Sequence, residues 1–471
     1  MQCRLATSAS SLENSVDDLI SMSSASDNFN RLSPRGSLGR LEFKRTARAE
    51  RTFLSTRPYD TYESLRRTAR AFRTEKAWLI PRYADVEAGL RDTRLTARRA
   101  QHLFPQSQVP TSARELHDTL SRWTFFSDLH ELKTDRQAVW NFLGPDRLAQ
   151  LPQLLRRWAR SQINLWKAST PPSSSLQLDL LTKFAKPLRH EVIRLLFEDP
   201  KDDVHHLCEL SDLIFALMTA STPTPEQVAK AVEAHRELRE KLAAWCSADS
   251  DSATPRQAST KSVATKLRDI GANAEAWPEQ LMLMFVTSVF IEKSWANTLG
   301  VWLNATLMQS PKASRWTHWK SELLKAEDGN STDQPAKTRL ELGIQEALRL
   351  ESPTQITSRV AQVDLEFAGE QIRAGDRIAL LIGSANYDES AFANASKFDL
   401  QRFTTAASSA LTFGAGGKRC PGAWLSTNVI GSTLQVFLED IQDLELDSQE
   451  LRWQENLESR RLVELPVRLS F

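Results

Sequence analysis

The sequence predicts a mainly α-helical protein with small β-sheets, and three observations carry that expectation. Apolar residues recur at helical spacing over long stretches, above all Glu226 to Trp245 and Trp277 to Leu307. Strand-like runs are few and short, the clearest being Ala77-Trp-Leu-Ile80 and Leu462-Val-Glu-Leu-Pro-Val-Arg-Leu469. A glycine-dense loop, Phe413-Gly-Ala-Gly-Gly-Lys-Arg-Cys-Pro-Gly422, leads straight into an apolar helix from Ala423 to Leu438.

Taken in order, residues 1 to 55 are rich in Ser, Arg and Asn and read as a disordered extension. Asp17, Asp18 and Asp27 weigh against an organelle transit peptide, which avoids acids. Tyr59 to Arg73 has helical spacing, Ala77 to Ile80 is a strand, and Arg82 to Leu90 opens another helix. Leu116 to Phe142 and Leu151 to Ala168 read as helical regions parted by Gly144-Pro145. After the Pro171-Pro172 turn, Leu176 to Phe197 reads as one or two helices. Adjacent histidines, His205 and His206, point to different helix faces and so do not share a metal. Glu209 to Ala220 and Glu226 to Trp245 are two helices joined by a proline-rich turn, and Ser247 to Ser259 is a polar loop. Trp277 to Leu307 reads as one helix of about thirty residues. Gly369 and Gly375 punctuate a strand hairpin, and the final apolar run closes a terminal hairpin.

The chain has 471 residues and a net charge of +1, which disfavours nucleic acid or another polyanion as the main partner. Length alone allows about three domains. Cys3, Cys208, Cys246 and Cys420 lie far apart with no C-x-x-C pair, so neither a zinc module nor a disulfide framework is expected. That usage points to a reducing, cytoplasmic setting. No stretch reaches eighteen apolar residues, so no transmembrane anchor is expected.

The chemistry concentrates at Cys420. Four of the chain's sixteen glycines fall within the ten residues of its loop. They let backbone N–H groups approach one atom closely, which suits a thiolate with a metal partner. A phosphate loop is the competing reading, but Arg419 stands where Ser or Thr is needed and Thr412 where the first glycine belongs. A lone cysteine can also be a small buried hydrophobe.

The pattern F-x-x-G-x-basic-x-C-x-G, carried by Phe413, Gly416, Lys418, Cys420 and Gly422, resembles the haem-binding loop of the cytochrome P450 family. The upstream chain supports the resemblance. Glu346 and Arg349 form an E-x-x-R pair 74 residues before Cys420, followed by Pro353, Arg359 and Phe398-Asp399-x-x-Arg402. The resemblance covers residues 58 to 471 and is sharpest over 341 to 435. It implies one large P450-like haem domain from residue 56 onward, behind the extension of residues 1–55. It further implies haem b, with Cys420 as the axial ligand of the iron, and Glu346, Arg349 and Arg402 as a buried ion-pair network. Propionate-side candidates are Arg359 and Lys418, with His130 and Arg136 offered by the helix near 130–140 although not at the family's spacing.

The segment Glu292-Lys-Ser-Trp-Ala-Asn-Thr-Leu299 resembles the family's oxygen-activating helix, with departures. Val289-Phe290 stand where the family carries small residues, and Lys293 stands at its threonine, with Ser294 the nearest hydroxyl. Glu292, Lys293 and Ser294 are therefore the catalytic candidates. Phe285, Val289, Phe290, Ile356, Phe215 and Met218 are candidates for lining a substrate pocket, each also readable as plain core.

The resemblance implies a monooxygenase that acts on a small apolar or secondary-metabolite-type substrate. Its oxidant would be dioxygen, and its electrons would come from a ferredoxin- or flavodoxin-type partner to a monomer. The altered distal residues keep two alternatives open: an unusual reaction type (peroxide-dependent, isomerase, dehydratase or oxidative cyclisation) and a catalytically silent binding module.

Overall fold

The computed structural model describes residues 58–74, 76–98, 113–128, 133–172, 174–197, 203–220, 223–247, 277–304, 315–324, 338–405, 408–448, 450–454 and 456–471. The expected extension of residues 1–55, the loop after Ser247 and His130 lie outside them.

The chain opens with α1 (Tyr59–Thr68), β1 (Phe72–Arg73), β2 (Trp78–Ile80), α2 (Tyr83–Arg91) and β3 (Leu95–Thr96). Helices α3 (Arg114–Arg122), α4 (Lys133–Phe142) and α5 (Leu151–Ser169) follow, then β4 (Leu176–Asp179), a π-turn (Leu181–Ala185) and α6 (Lys186–Phe197). Next come α7 (Val204–Met218), α8 (Pro225–Ser247), α9 (Trp277–Thr287), α10 (Val289–Leu303), α11 (Arg315–Leu323) and α12 (Arg339–Leu350). The last third holds β5 (Thr357–Ala361), β6 (Leu365–Phe367), β7 (Glu370–Ile372), β8 (Arg377–Leu380), α13 (Ile382–Ala385), α14 (Arg402–Thr405), α15 (Ala423–Asp440), β9 (Asp443–Leu446) and β10 (Pro466–Ser470).

Helix starts follow their sequence signals. Thr338 and Glu341 form a reciprocal capping box at α12. Asp203 caps α7 by accepting from the His205 N–H. The strands make a five-stranded sheet in the order β1-β2-β8-β5-β3, a three-stranded sheet β4-β10-β9 and the hairpin β6-β7. That hairpin turns through Ala368 and Gly369, both at positive φ (54° and 82°), as a tight two-residue turn requires.

One large apolar core runs through the helices, with Trp123, Trp277, Trp295, Trp302, Trp316 and Trp319 wholly buried, and a second lies under the five-stranded sheet. The Trp295 indole on α10 donates to the Thr433 hydroxyl on α15 at 2.9 Å, which locks these two core helices together.

Three expectations need correction. Leu176 to Asp179 is a strand, not helix; its residues pair antiparallel with Pro466 to Leu469, a partner too distant in sequence to be read locally. Leu116 to Phe142 is two separate helices, α3 and α4, because the chain turns after Arg122. The long helix from Trp277 is interrupted at Ser288, and its described part ends at Leu303. The terminal strand does form a hairpin-like antiparallel pair with β9, and β4 completes the sheet.

Candidate active site

The Cys420 loop is seated by its neighbours on both sides. Gly414 and Gly416 have φ of 71° and 67°, the left-handed region. A Cβ on Gly416 would sit 3.0 Å from the Cγ of Arg91 on α2, so the loop packs against α2 only with glycine there. The Cys420 N–H returns to the Phe413 carbonyl at 2.8 Å, which closes the loop. Gly422 then caps α15, so the positive end of that helix lies beside the sulfur.

The thiol is exposed, yet burial among protein atoms is the main cause that pushes its pKa up. The Gly422 N–H, Arg136 and Arg419 oppose that rise and favour the thiolate. Arg136 on α4 donates to the Arg419 carbonyl, and Lys418 donates to the Ser127 carbonyl. Lys418 is thus tied to backbone in this arrangement, whereas the sequence expectation pointed it at a carboxylate.

Arg359 on β5 is buried, with its Nη1 donating to Thr357 Oγ1 at 3.2 Å and to the Ser358 carbonyl at 2.9 Å. Among the described residues no ion pair holds it. Burial lowers its pKa to about 10, with Asp128 pulling the other way. A buried guanidinium in this condition calls for an anion.

Beneath the loop, Glu346 and Arg349 meet as the i, i+3 spacing requires. Arg349 donates from Nε to one carboxylate oxygen at 2.7 Å and from Nη2 to the other at 2.8 Å, a bidentate pair that is completely buried. Arg402 adds a bond to Glu346 at 2.9 Å, and the Asp399 N–H another at 3.1 Å. Arg349 also reaches the Asn386 carbonyl at 2.6 Å, so the network fastens α12 to the segment that leads to the cysteine.

On α10, Lys293 is 2% exposed and its Nζ has no hydrogen-bond partner. The ammonium rests on two aromatic faces, 4.1 Å from the centroid of Phe215 and 4.8 Å from that of Phe290. Burial lowers its pKa to about 7; Arg461 adds to the fall, while Glu292 and Asp212 oppose it. Burial likewise raises the Glu292 carboxyl, against the pull of Arg189. Glu292 and Lys293 also line a cavity of about 230 Å³ with Leu181, Lys186, Ala296 and Arg461. Ser294 is buried and lies about 100° round the helix from Lys293.

The pocket candidates separate. Phe215 and Phe290 meet edge to face at 5.6 Å, while Phe285 stacks on Phe197 at 5.4 Å inside the aromatic core. Val289 and Met218 are buried in the same large core, whereas Ile356 packs with Tyr62 and Leu381 in a small cluster of its own. Sequence reasoning missed Arg189, a wholly buried cation on α6 that contacts both α7 and Ser288. A charged residue on the apolar face of a helix was the only available signal.

A family model for cytochrome P450 matches residues 330–459 of this chain. Over those residues the chain is similar to the cytochrome P450 family. The P450 "Polyketide biosynthesis cytochrome P450 PksS" of Bacillus subtilis is 25% identical over 404 residues, 84% of this chain and 90% of that protein. The "Biotin biosynthesis cytochrome P450" of the same organism is 38% identical over 124 residues, 26% of this chain; that match spans only 31% of the relative. A solved structure of P450BioI, in complex with an acyl carrier protein ligated to hexadec-9Z-enoic acid, superposes with a TM-score of 0.73. It is 20% identical and covers 88% of this chain and 99% of that one. That likeness shows the P450 fold.

The family's cofactor is haem b, and the residues present fit it. Cys420 offers a thiolate with N–H and cationic support, Gly416 and Gly422 keep the loop close, and Arg359 is a buried cation suited to a propionate. Among the described residues no group of three His, Cys, Asp or Glu side chains forms a separate metal site, and His206 pairs instead with Glu237 at 2.7 Å. Among the described residues no helix is long and apolar enough to cross a membrane.

Proposed function

We propose that this protein is a haem-thiolate monooxygenase that oxidises a small apolar or secondary-metabolite-type substrate with dioxygen and electrons from a ferredoxin- or flavodoxin-type donor. The observation that carries the reading is Cys420 at the start of α15, fastened from below by the buried Glu346–Arg349–Arg402 network. Two relatives, P450s of polyketide and of biotin biosynthesis, agree with a biosynthetic substrate.

Haem iron bound through a cysteine thiolate supplies electron density that favours O–O cleavage. The chain's own residues do the rest. Arg136, Arg419 and the Gly422 N–H favour the Cys420 thiolate against the burial that raises its pKa. Arg359 anchors a carboxylate as a fixed, buried cation. Lys293, with a pKa of about 7, takes up or releases a proton at Nζ near neutral pH, as a proton-transfer group needs. Phe215 and Phe290 keep water from that nitrogen. Glu292, also buried, stands next to it as a second proton carrier.

The test is spectroscopic first. Reduced enzyme with carbon monoxide is expected to give the thiolate-type spectrum, and Cys420→Ser is expected to lose it while the chain stays folded. A parent protein without that spectrum overturns the reading. Lys293 in place of a hydroxyl favours one second reading, a P450 of unusual reaction type. Turnover with peroxide alone, and none with reduced ferredoxin plus oxygen, would establish the second reading over the first.

A further inference from the structure

The interruption between α9 and α10 is built by a residue that belongs to neither helix. At the break, Ser288 donates its hydroxyl to the Phe285 carbonyl at 2.5 Å, and Thr287 donates its own to Leu283 at 2.7 Å. Such back-bonding loosens a helix without breaking it. The Ile291 N–H then bonds to Ser288 at 2.9 Å, three residues back and not four. Neither glycine nor proline is present to cause this, since the sequence there reads Ser288-Val-Phe-Ile291.

Arg189 supplies the cause. It reaches in from α6, 1% exposed, and donates from Nε to the Ser288 hydroxyl at 2.7 Å. Its Nη2 lies 3.5 Å from the Phe285 carbonyl, the acceptor that a regular helix would give to the N–H of Val289. The same guanidinium binds α7 twice, to Asp212 at 2.6 Å and to the Ser211 hydroxyl at 2.9 Å. Glu292 stands 3.8 Å away. Burial works against this charge, but Cys208, Asp212 and Glu292 hold its pKa above the ordinary arginine value.

We propose that Arg189 is a positioning residue: it holds the turn at Ser288, between α9 and α10, out of regular helix and fastens that turn to α7, and so fixes where Glu292 and Lys293 stand. On α7, Ser211 and Asp212 lie one turn before Phe215, four and three residues ahead of it. The first two meet Arg189, and Phe215 meets the Lys293 ammonium. Helix α7 is thus tied to both ends of the turn, upstream through Arg189 and downstream through Lys293. A planar guanidinium with five donors can serve four such partners at once; an ammonium cannot.

The test uses the full-length, haem-loaded enzyme and reads backbone hydrogen exchange at Val289, Phe290 and Ile291. In Ser288→Ala, which removes the acceptor and favours helix, the ladder is expected to close and exchange at these amides to slow about tenfold or more. Arg189→Gln is expected to do the same, with Arg189→Lys recovering part of the parental rate. Parental exchange in Ser288→Ala overturns the proposal, and that variant decides alone if Arg189→Gln fails to fold. A second readout, which rests on the monooxygenase reading, is the fraction of electrons that reach product; it is expected to fall severalfold in both variants. Slowed exchange in variants of a protein without a thiolate-type spectrum would sink the monooxygenase reading and leave the positioning role standing.

Discussion

Replacing Lys293 by methionine removes a charge that the fold holds at a cost. The ammonium is 2% exposed, lacks a hydrogen-bond partner and is met only by aromatic faces. Its pKa falls from 10.5 to about 7, mainly through burial. At 1.36 kcal/mol for each tenfold change, that gap corresponds to a penalty of about 5 kcal/mol for carrying the proton in the folded state. The sign follows from proton counts. Between those two pH values the unfolded chain holds a proton that the folded chain lacks, so this group makes stability rise with pH by about 1.4 kcal/mol per pH unit. Below about pH 7 the penalty is complete and constant; above the unfolded value it is gone. Methionine keeps the length and flexibility of lysine without the charge. The variant is therefore expected to be more stable than the parent by up to about 5 kcal/mol at about pH 6, with the gain shrinking steadily toward alkaline pH. Urea denaturation at several pH values, extrapolated to water, measures this. Parent and variant curves that run parallel over the window would refute the reasoning, because the ammonium would then have a partner that compensates its burial.

Glu346→Gln leaves Arg349 and Arg402 buried without their shared anion, and is expected to cost about 3–5 kcal/mol in denaturant unfolding. Arg359→Leu is expected to leave the fold intact and to weaken haem retention about tenfold or more, the loss of one charge-assisted bond, measured by haem transfer to an acceptor protein.

The proximal half of the site was legible because its chemistry is local. Cys420 with its glycines lies within ten residues, and Glu346 with Arg349 within a single turn, so residue types and spacing carried the geometry. Arg402 was legible only as part of a longer resemblance. The distal half was not legible, since it depends on side chains from separate elements. Lys293 shows in the sequence as an odd residue, but nothing there says that Phe215, 78 positions earlier, would cover its nitrogen. Arg189 was silent for the same reason: its four partners come from two helices, α7 and α9, and from the turn that follows α9. The break at Ser288 escaped notice because its sequence is good apolar helix, and the cause lies about a hundred residues upstream. Strand β4 was misread as helix because its partner strand arrives almost 290 residues later.

That late partner has a consequence for how the chain is made. The Leu465 N–H bonds to the Asp179 carboxylate at 2.7 Å across 286 residues of sequence, and β10 seats itself between β4 and β9. A ribosome extends a chain at about 5–20 residues per second, and early segments ordinarily fold as they emerge. Here the segment after Pro171 leaves the ribosome with an unpaired edge and waits, for tens of seconds, until residues 466–470 follow. During that interval Leu176 to Asp179 offers a free strand edge, open to mispairing or to a chaperone.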